Sequence, residues 1–532
     1  MRGAQYSKKN EQTPAFGPAV AFVSLLGLSA FLILVASLLQ GVGLPFFTNP
    51  GAWLKSLDAN VPLELLSNSA EVVAAVLAVA ITVVAIVVEL AATRYSHRIT
   101  WLFVRDPVNI IVTSIFVVTT LMCLWVSLVL RQSSPDALLP NAGFAMAMGL
   151  VTLSLLILLP YFAFVFAFLS PLSIIRKLRD SALHKVETCR DSNAERNQAL
   201  VEDAIDELQD VGLRAVELSD RGVAMACVDA LAGILTHYQR LRKGLPDKWF
   251  VVHKSVARDP DFVALSKTLL KDIQKNGSWL EIKVMRQYLW LMNQCLHRAR
   301  DIANLIAIQT KRLGVPAARK NPPLLALCIR CMNSYLRAAI NAKDLRTAYY
   351  VLNQYRQLAT QLLSRGESGP VPEIARHFQY YGLLGFKMEQ AFLLEVAAYD
   401  LYRLIHHSLK QDSHLVDELL GLLLDLDQEI KSENGESSLL GVRRAQVQAA
   451  TLFASSGDEQ RLQRVIDDLK TEAPDRLWEV QKQIMEVRQA QFWEFTDRGV
   501  NFHYLPKNLR QHIPRVLHWL EQNQSSSEPA GN

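Results

Sequence analysis

The sequence predicts an all-α protein in two parts: a four-helix transmembrane domain followed by a cytoplasmic α-helical domain. Three observations carry this: apolar runs long enough to cross a bilayer, scarce charge in the first third, and helical periodicity afterwards. Of the 532 residues, 1–175 hold only eight of the 56 Lys and Arg and seven of the 51 Asp and Glu. Four segments there, about 18–40, 70–90, 107–130 and 142–169, reach the roughly 20 residues that a spanning helix needs. The first follows Arg2, Lys8 and Lys9. Its apolar run is too long for a signal peptide and no small-x-small site closes it, so it reads as a retained anchor.

Orientation follows from basic residues in the connections. The N-terminal tail has Arg2, Lys8 and Lys9, and the first loop (41–69) only Lys55. The second has Arg94, Arg98 and Arg105, the third only Arg131, and Arg176, Lys177, Arg179 and Lys185 follow the last span. The alternation puts both termini in the cytoplasm and the chain in the inner (plasma) membrane. Loop 41–69 then lies outside, with Phe46, Phe47 and Trp53 suited to the interface. Its Gly41-Val42-Gly43 lacks the strand and third glycine of a nucleotide loop. In the second span Ala74, Ala78 and Thr82 form a small face for close helix packing. Asn109, Thr113, Ser114, Thr119 and Thr120 give the third span a polar stripe, for helix–helix hydrogen bonds or an ion path. Pro160-Tyr161 predicts a kink in the fourth. The span cores contain no ionisable group, which weighs against transport.

The second span ends in Glu89-Leu90-Ala91-Ala92-Thr93-Arg94-Tyr95-Ser96-His97-Arg98, closed by Arg105-Asp106-Pro107. Glu89, Arg94, Tyr95, Ser96, Arg98, Arg105 and Asp106 are the candidate topology determinants. Long arginines can reach headgroups here. Asp106 suits an N-cap and Pro107 a first helical position. As the one inner loop between spans, it is expected to dock against the soluble domain as a joint. The run resembles the signature of an uncharacterised bacterial membrane family, known as a domain of unknown function (number twenty-two fifty-four) and described as a four-span membrane protein. Members usually show Gln-Leu-Ala-Ser-Ser-Gln-Phe-Ser-Pro-Arg; here Glu89 and Arg94 replace the two Gln and His97 the Pro. A second patch, Arg214-Ala215-Val216 and Ala226-Cys227-Val228-Asp229-Ala230-Leu231, is similar to the family's Arg-Ala-Leu and Ala-Ile-Asp-x-Leu. The family's proline-bearing turn between them is replaced by Glu217-Leu218-Ser219-Asp220-Arg221-Gly222. The resemblance covers about 70–240 and implies no activity.

From Arg176 onward the pattern is helical. Residues 176–312 read as a membrane-proximal region, 324–522 as a helical-hairpin array or a single irregular bundle, and 523–532 as a disordered tail. Asp259-Pro260 reads as a cap with a first-turn proline. Gly277 ends one helix, and Ser278-Trp279-Leu280-Glu281 reads as a capping box opening another that runs to Arg312. Leu345, Ala348, Tyr349, Leu352, Tyr355, Leu358, Ala359 and Leu362 share one face. Breaks are expected at 313–323, 364–373 and 431–438, and Ser455-Ser456-Gly457-Asp458 resembles a tetratricopeptide turn.

No catalytic or phosphate-loop motif occurs. Cys328-x-x-Cys331 has no second ligand pair at zinc spacing and reads as a buried helix face. His406, His407 and His414 read as a solvated face, with 407 and 414 on one helix. Phe492, Trp493, Phe495, Phe502, His503 and Tyr504 around Gly499 read as packing at a helix stop. The small basic excess gives no case for nucleic acid. The sequence therefore predicts a non-enzymatic, cofactor-free, membrane-anchored scaffold contacting the lipid bilayer and a protein partner or a second copy. The alternative is an oligomeric channel or transporter.

Overall fold

In this computed structural model, residues 60–94, 103–132, 138–168, 170–409, 413–427, 436–470, 472–494 and 496–525 are described. They are helical apart from turns and one isolated bridge, Gln491 to Val500. Two compact units divide the chain, 1–177 and 178–532.

In the first unit, α1 (Asn60–Arg94), α2 (Pro107–Gln132) and α3 (Leu138–Phe168) pack against one another. All three are long and apolar enough to cross a membrane, and only 22%, 28% and 22% of their most apolar stretches are buried. The remaining apolar surface, including Val79, Ile86, Ile111, Trp125 and Phe166, points outward. Such a surface suits lipid and not water. The expected first span, 18–40, lies outside the described residues, so three candidate spans are seen. Loop 41–69 is corrected, because α1 already begins at Asn60. The small face is corrected too. Ala74, Ala78 and Thr82 are exposed, whereas Leu66, Ala70, Val73, Ala80, Val84 and Val88 fill the bundle at steps suited to a helix. Helix α3 continues through Pro160.

Helix α4 (Pro171–Glu187) carries the division between the units. The second unit begins in hairpins: α5 (Ala194–Glu217) with α6 (Arg221–Leu241), then, after α7 (Lys267–Asn276), α8 (Trp279–Cys295) with α9 (Arg300–Lys320). Next come α10 (Pro322–Asn341) with α11 (Leu345–Ser364), and α12 (Val371–Lys387) with α13 (Phe392–Ser408). Helices α14 (Ser413–Leu424), α15 (Glu436–Ser456), α16 (Glu459–Leu469), α17 (Pro474–Glu486) and α18 (Ile513–Ser525) complete the chain. Most of the packing joins helices close in sequence: α5 with α6, α9 with α10 and α11, α12 with α13, α13 with α15.

The hairpin corners share one geometry. Ser219, His297, Lys343 and Glu389 are the non-glycine residues with positive φ among those described, and each sits at a corner. At three of them the following N–H bonds to a carbonyl five residues back: Asp220 to Ala215, Asp344 to Ala339, Gln390 to Gly385. These are Schellman closures, which normally favour glycine. Gly457 with Asp458, the turn noted in the sequence, closes the same way on Phe453. Asp220, Asp344 and Asp458 cap the next helix through Val223, Thr347 and Arg461. Successive corners also touch: Arg221 pairs with Asp301 (3.6 Å), His297 Nε2 meets the Ala342 carbonyl (2.7 Å), and Lys343 pairs with Glu389 (3.0 Å).

Several sequence expectations hold here. Gly277 ends α7 in the left-handed conformation, Asp259 caps the short helix Pro260–Val263, and the α11 face is buried at Ala348, Leu352, Tyr355, Leu358, Ala359 and Leu362, with Tyr349 half-buried and Leu345 exposed. The break at 364–373 falls between α11 and α12. Others fail. No helix runs from 279 to 312, because the His297 corner divides it, and α9 passes through Gly314 and Pro316 to Lys320. Gly314 is held close to Cys328 and Leu358, where packing outweighs the local break signal. Glu436 already starts a helix within the expected break at 431–438, while Asn434-Gly435 lies outside the described residues. His407 lies in the last turn of α13 and His414 in the first turn of α14, so they do not share a helix; both are exposed. Gly499 is no helix stop, since α17 ends at Glu486 and Gly499 turns an irregular hairpin. There Phe492 stacks on the largely exposed Trp493 (78%), while Phe502 is buried on Tyr399 (ring centroids 4.2 Å). The expected tail overlaps α18 through Ser525.

Candidate functional site

Several places gather polar side chains that the fold does not spend on plain helix surface. The first is the membrane unit's inner loop. Glu89 is exposed near the end of α1, and Arg94 is that helix's last residue. Tyr95, Ser96, His97 and Arg98 lie outside the described residues. Arg105 is exposed and Asp106 half-buried. The Asp106 carboxylate accepts from the Val108 N–H (3.0 Å), the N-cap expected there, with Pro107 opening α2. Its other oxygen lies 3.4 Å from Lys177 Nζ on α4. That ammonium also stands 3.6 Å over the Phe168 ring, and Phe103 meets Phe168 edge-on at 5.4 Å. The inner loop is thus tied to α4 by the Asp106–Lys177 ion pair and to the end of α3 by the Phe103–Phe168 contact, and the Lys177 ammonium joins α4 to the same ring. An exposed ion pair contributes about 0–1 kcal/mol, so the rings carry much of this join.

Four of the five residues of the polar stripe of α2 are buried or half-buried. The Tyr161 hydroxyl donates to Asn109 Oδ1 at 2.7 Å, tying α3 to α2. Thr119 and Thr120 donate to the carbonyls of Ile115 and Phe116 in their own helix. Thr113 is half-buried and Ser114 exposed.

The second place was not foreseen. Lys283, on α8, is 1% exposed, and its ammonium reaches Asp206 (2.6 Å), Asp259 (2.6 Å) and Asp261 (2.9 Å). Arg286, Gln287 and Trp290 also donate to Asp261, at 3.0, 2.6 and 3.4 Å. A lysine is buried this deeply only when paired. The carboxylates approach one another closely enough to suggest a cation site, and the tethered ammonium already provides that cation. Burial pulls the Lys283 pKa down, and its bonds to Asp206 and Asp259 outweigh this and hold it above the ordinary value. Burial raises Asp206 to about 6. Burial, with the Asp259 charge beside it, raises Glu202 to about 8.

Two residues earlier on α8, Glu281 is fully buried rather than closing a capping box; the Ser278 side chain makes no cap bond. Glu281 accepts from Gln239 (2.9 Å), Arg242 (3.3 Å) and Asn321 (3.1 Å), while burial raises its pKa. A third polar core joins Asp400 to Arg498 (2.6 Å) and Arg356 (3.0 Å). Cys328 and Cys331 are buried, and burial raises both thiols. The protein's own groups satisfy most of these networks, while Glu281 Oε2, Gln287 Oε1 and Arg498 Nε are buried without a hydrogen-bond partner among the described residues.

The fold and its polar groups define the class, an α-helical membrane protein with a large helical unit beyond its candidate spans. Residues 12–204 match the family described as a predicted membrane protein (DUF2254). The resemblance first seen in 89–106 is therefore shown, and it begins earlier than the residue patterns indicated. The match ends before the 214–231 patch, which lies at the Ser219 corner. No curated protein and no solved structure matches the chain.

Proposed function

We propose that this chain is a non-enzymatic, membrane-anchored interaction protein of the inner membrane. The helical unit lies in the cytoplasm and offers its hairpins to a protein partner or a second copy. The observation supporting this is the run of hairpins whose corners touch in succession, Arg221 to Asp301, His297 to Ala342, Lys343 to Glu389. Helices stacked through nearest neighbours make extended surfaces suited to partners. The inner loop serves as a joint, in which Asp106 pairs with Lys177 on α4 and Phe103 packs on Phe168 at the end of α3. Reversing Arg98 and Arg105 to Glu should alter the protease pattern of the helical unit; an unchanged pattern would leave the loop a plain topology signal.

The decisive experiment places a photo-cross-linking residue on exposed hairpin positions of the full chain in its native membrane. Reproducible, position-dependent adducts are expected, and their absence would defeat the proposal. A second reading, an oligomeric channel or transporter, draws on the Asn109 and Thr113 stripe. The Tyr161 bond to Asn109 favours packing over a water path. Liposome flux abolished by Asn109→Leu with Thr113→Leu would reverse that preference.

A further inference from the structure

A cleft of about 230 Å³ opens between α6, α9 and the start of α10. Its base is apolar, made by the buried Leu313, Ala317 and Leu324, with Pro316 as one wall. Its charged lining consists of Arg240, Arg312 and Lys320, all exposed, without an acidic residue among them. None of the three makes an ion pair among the described residues, whereas the basic groups around them are engaged. Arg242 is bound to Glu281, Arg319 to Glu367, and Lys311 to Gln354 and Gln357. The carboxylate behind the cleft, Glu281, is buried and committed to Arg242, Gln239 and Asn321, so it does not neutralise the mouth.

Three unpaired cations over an apolar base form a place where an anion gains both charge and contact. Two guanidiniums offer forked donors, which match the oxygens of a phosphate better than single ammonium charges do. Thr236, across on α6, adds a hydroxyl to the lining.

We propose that this cleft binds a phosphate-bearing ligand with a compact apolar group, the phosphate held by Arg240, Arg312 and Lys320 and the apolar group seated on Leu313, Ala317 and Leu324. The inference is independent of the scaffold reading. Two sources supply this chemistry, a soluble phosphate monoester and the headgroup of an anionic lipid.

The test uses the full chain in phosphatidylcholine nanodiscs. Phenyl phosphate is titrated calorimetrically in one arm, and dioctanoyl phosphatidic acid is scored by native mass spectrometry in the other. Saturable binding in at least one arm is expected, and which arm responds names the source. The combined R240Q, R312Q and K320Q variant should weaken it at least tenfold. Thr236→Trp, which fills the cleft without removing charge, should weaken it comparably. Arg376→Gln, which breaks an exposed ion pair with Glu418 elsewhere, should leave it unchanged. Circular dichroism confirms that each variant is folded. Binding in neither arm, binding equally lost in R376Q, or binding indifferent to both cleft variants would overturn the proposal.

Discussion

Replacing Lys283 by Met should destabilise the helical unit more than most single changes. The ammonium is 1% exposed and lies within 2.9 Å of three carboxylates. Methionine keeps most of the volume and removes the charge, which leaves Asp206, Asp259 and Asp261 facing one another with Arg286 as the nearest remaining cation. Breaking a buried ion pair by removing one partner costs about 3–5 kcal/mol. For a unit of about 355 residues that corresponds to roughly 4–7 °C in melting temperature. The assay is thermal unfolding of the full chain in detergent, followed by circular dichroism at pH 7.5 and again at pH 5. The loss should shrink at pH 5, because protonated carboxyls no longer need a counter-charge. A shift below about 1 °C at pH 7.5, or one equal at both pH values, would refute the reasoning.

Glu202 carries the opposite lesson. Its folded pKa is raised from 4.5 to about 8, so ionising it costs more in the fold than in the unfolded chain. Stability from this group is therefore full below about pH 4.5 and falls as pH rises towards 8. Glu202→Gln should flatten that slope in a melting series, and an unchanged slope would discount the group. Asp344→Ala should cost about 2–3 kcal/mol in urea unfolding, since the carboxylate receives the N–H groups of His297 and Thr347 together with Arg300. Asp344→Asn should cost less, and equal losses would argue against a capping role. Tyr161→Phe should cost only about 0.6 kcal/mol, the average for a hydrogen bond between membrane helices, read as a small loss of detergent resistance. A severe loss would give that bond a larger role.

What the sequence made legible was local or periodic. The later three spans follow from hydropathy alone, and the Asp106-Pro107 and Asp259-Pro260 starts from capping chemistry between near neighbours. Gly277 follows from the one conformation that favours glycine. The unread parts depend on distant partners. Ser278 and Glu281 have capping-box spacing, yet Gln239 and Asn321, about forty residues to either side, draw the Glu281 carboxylate inward. The Lys283 cluster draws on residues from 206 to 283, which no short window joins. Gly314 and Pro316 signal a break that packing against Cys328 and Leu358 overrides. The hairpin corners were missed because Ser219, His297, Lys343 and Glu389 occupy positions where glycine is the usual clue.

Those corners have a mechanical consequence. The left-handed residues at 297, 343 and 389 recur at steps of 46, so equal lengths of chain separate successive corners. Each is linked to the next by a short polar contact. The hairpins are bound along that edge like pages along a spine, and the spine sets their pitch. The opposite edge is tied as well, since Arg319 at the end of α9 bonds Glu367 and the Arg365 carbonyl beyond α11, so fanning of these hairpins is restrained from both sides.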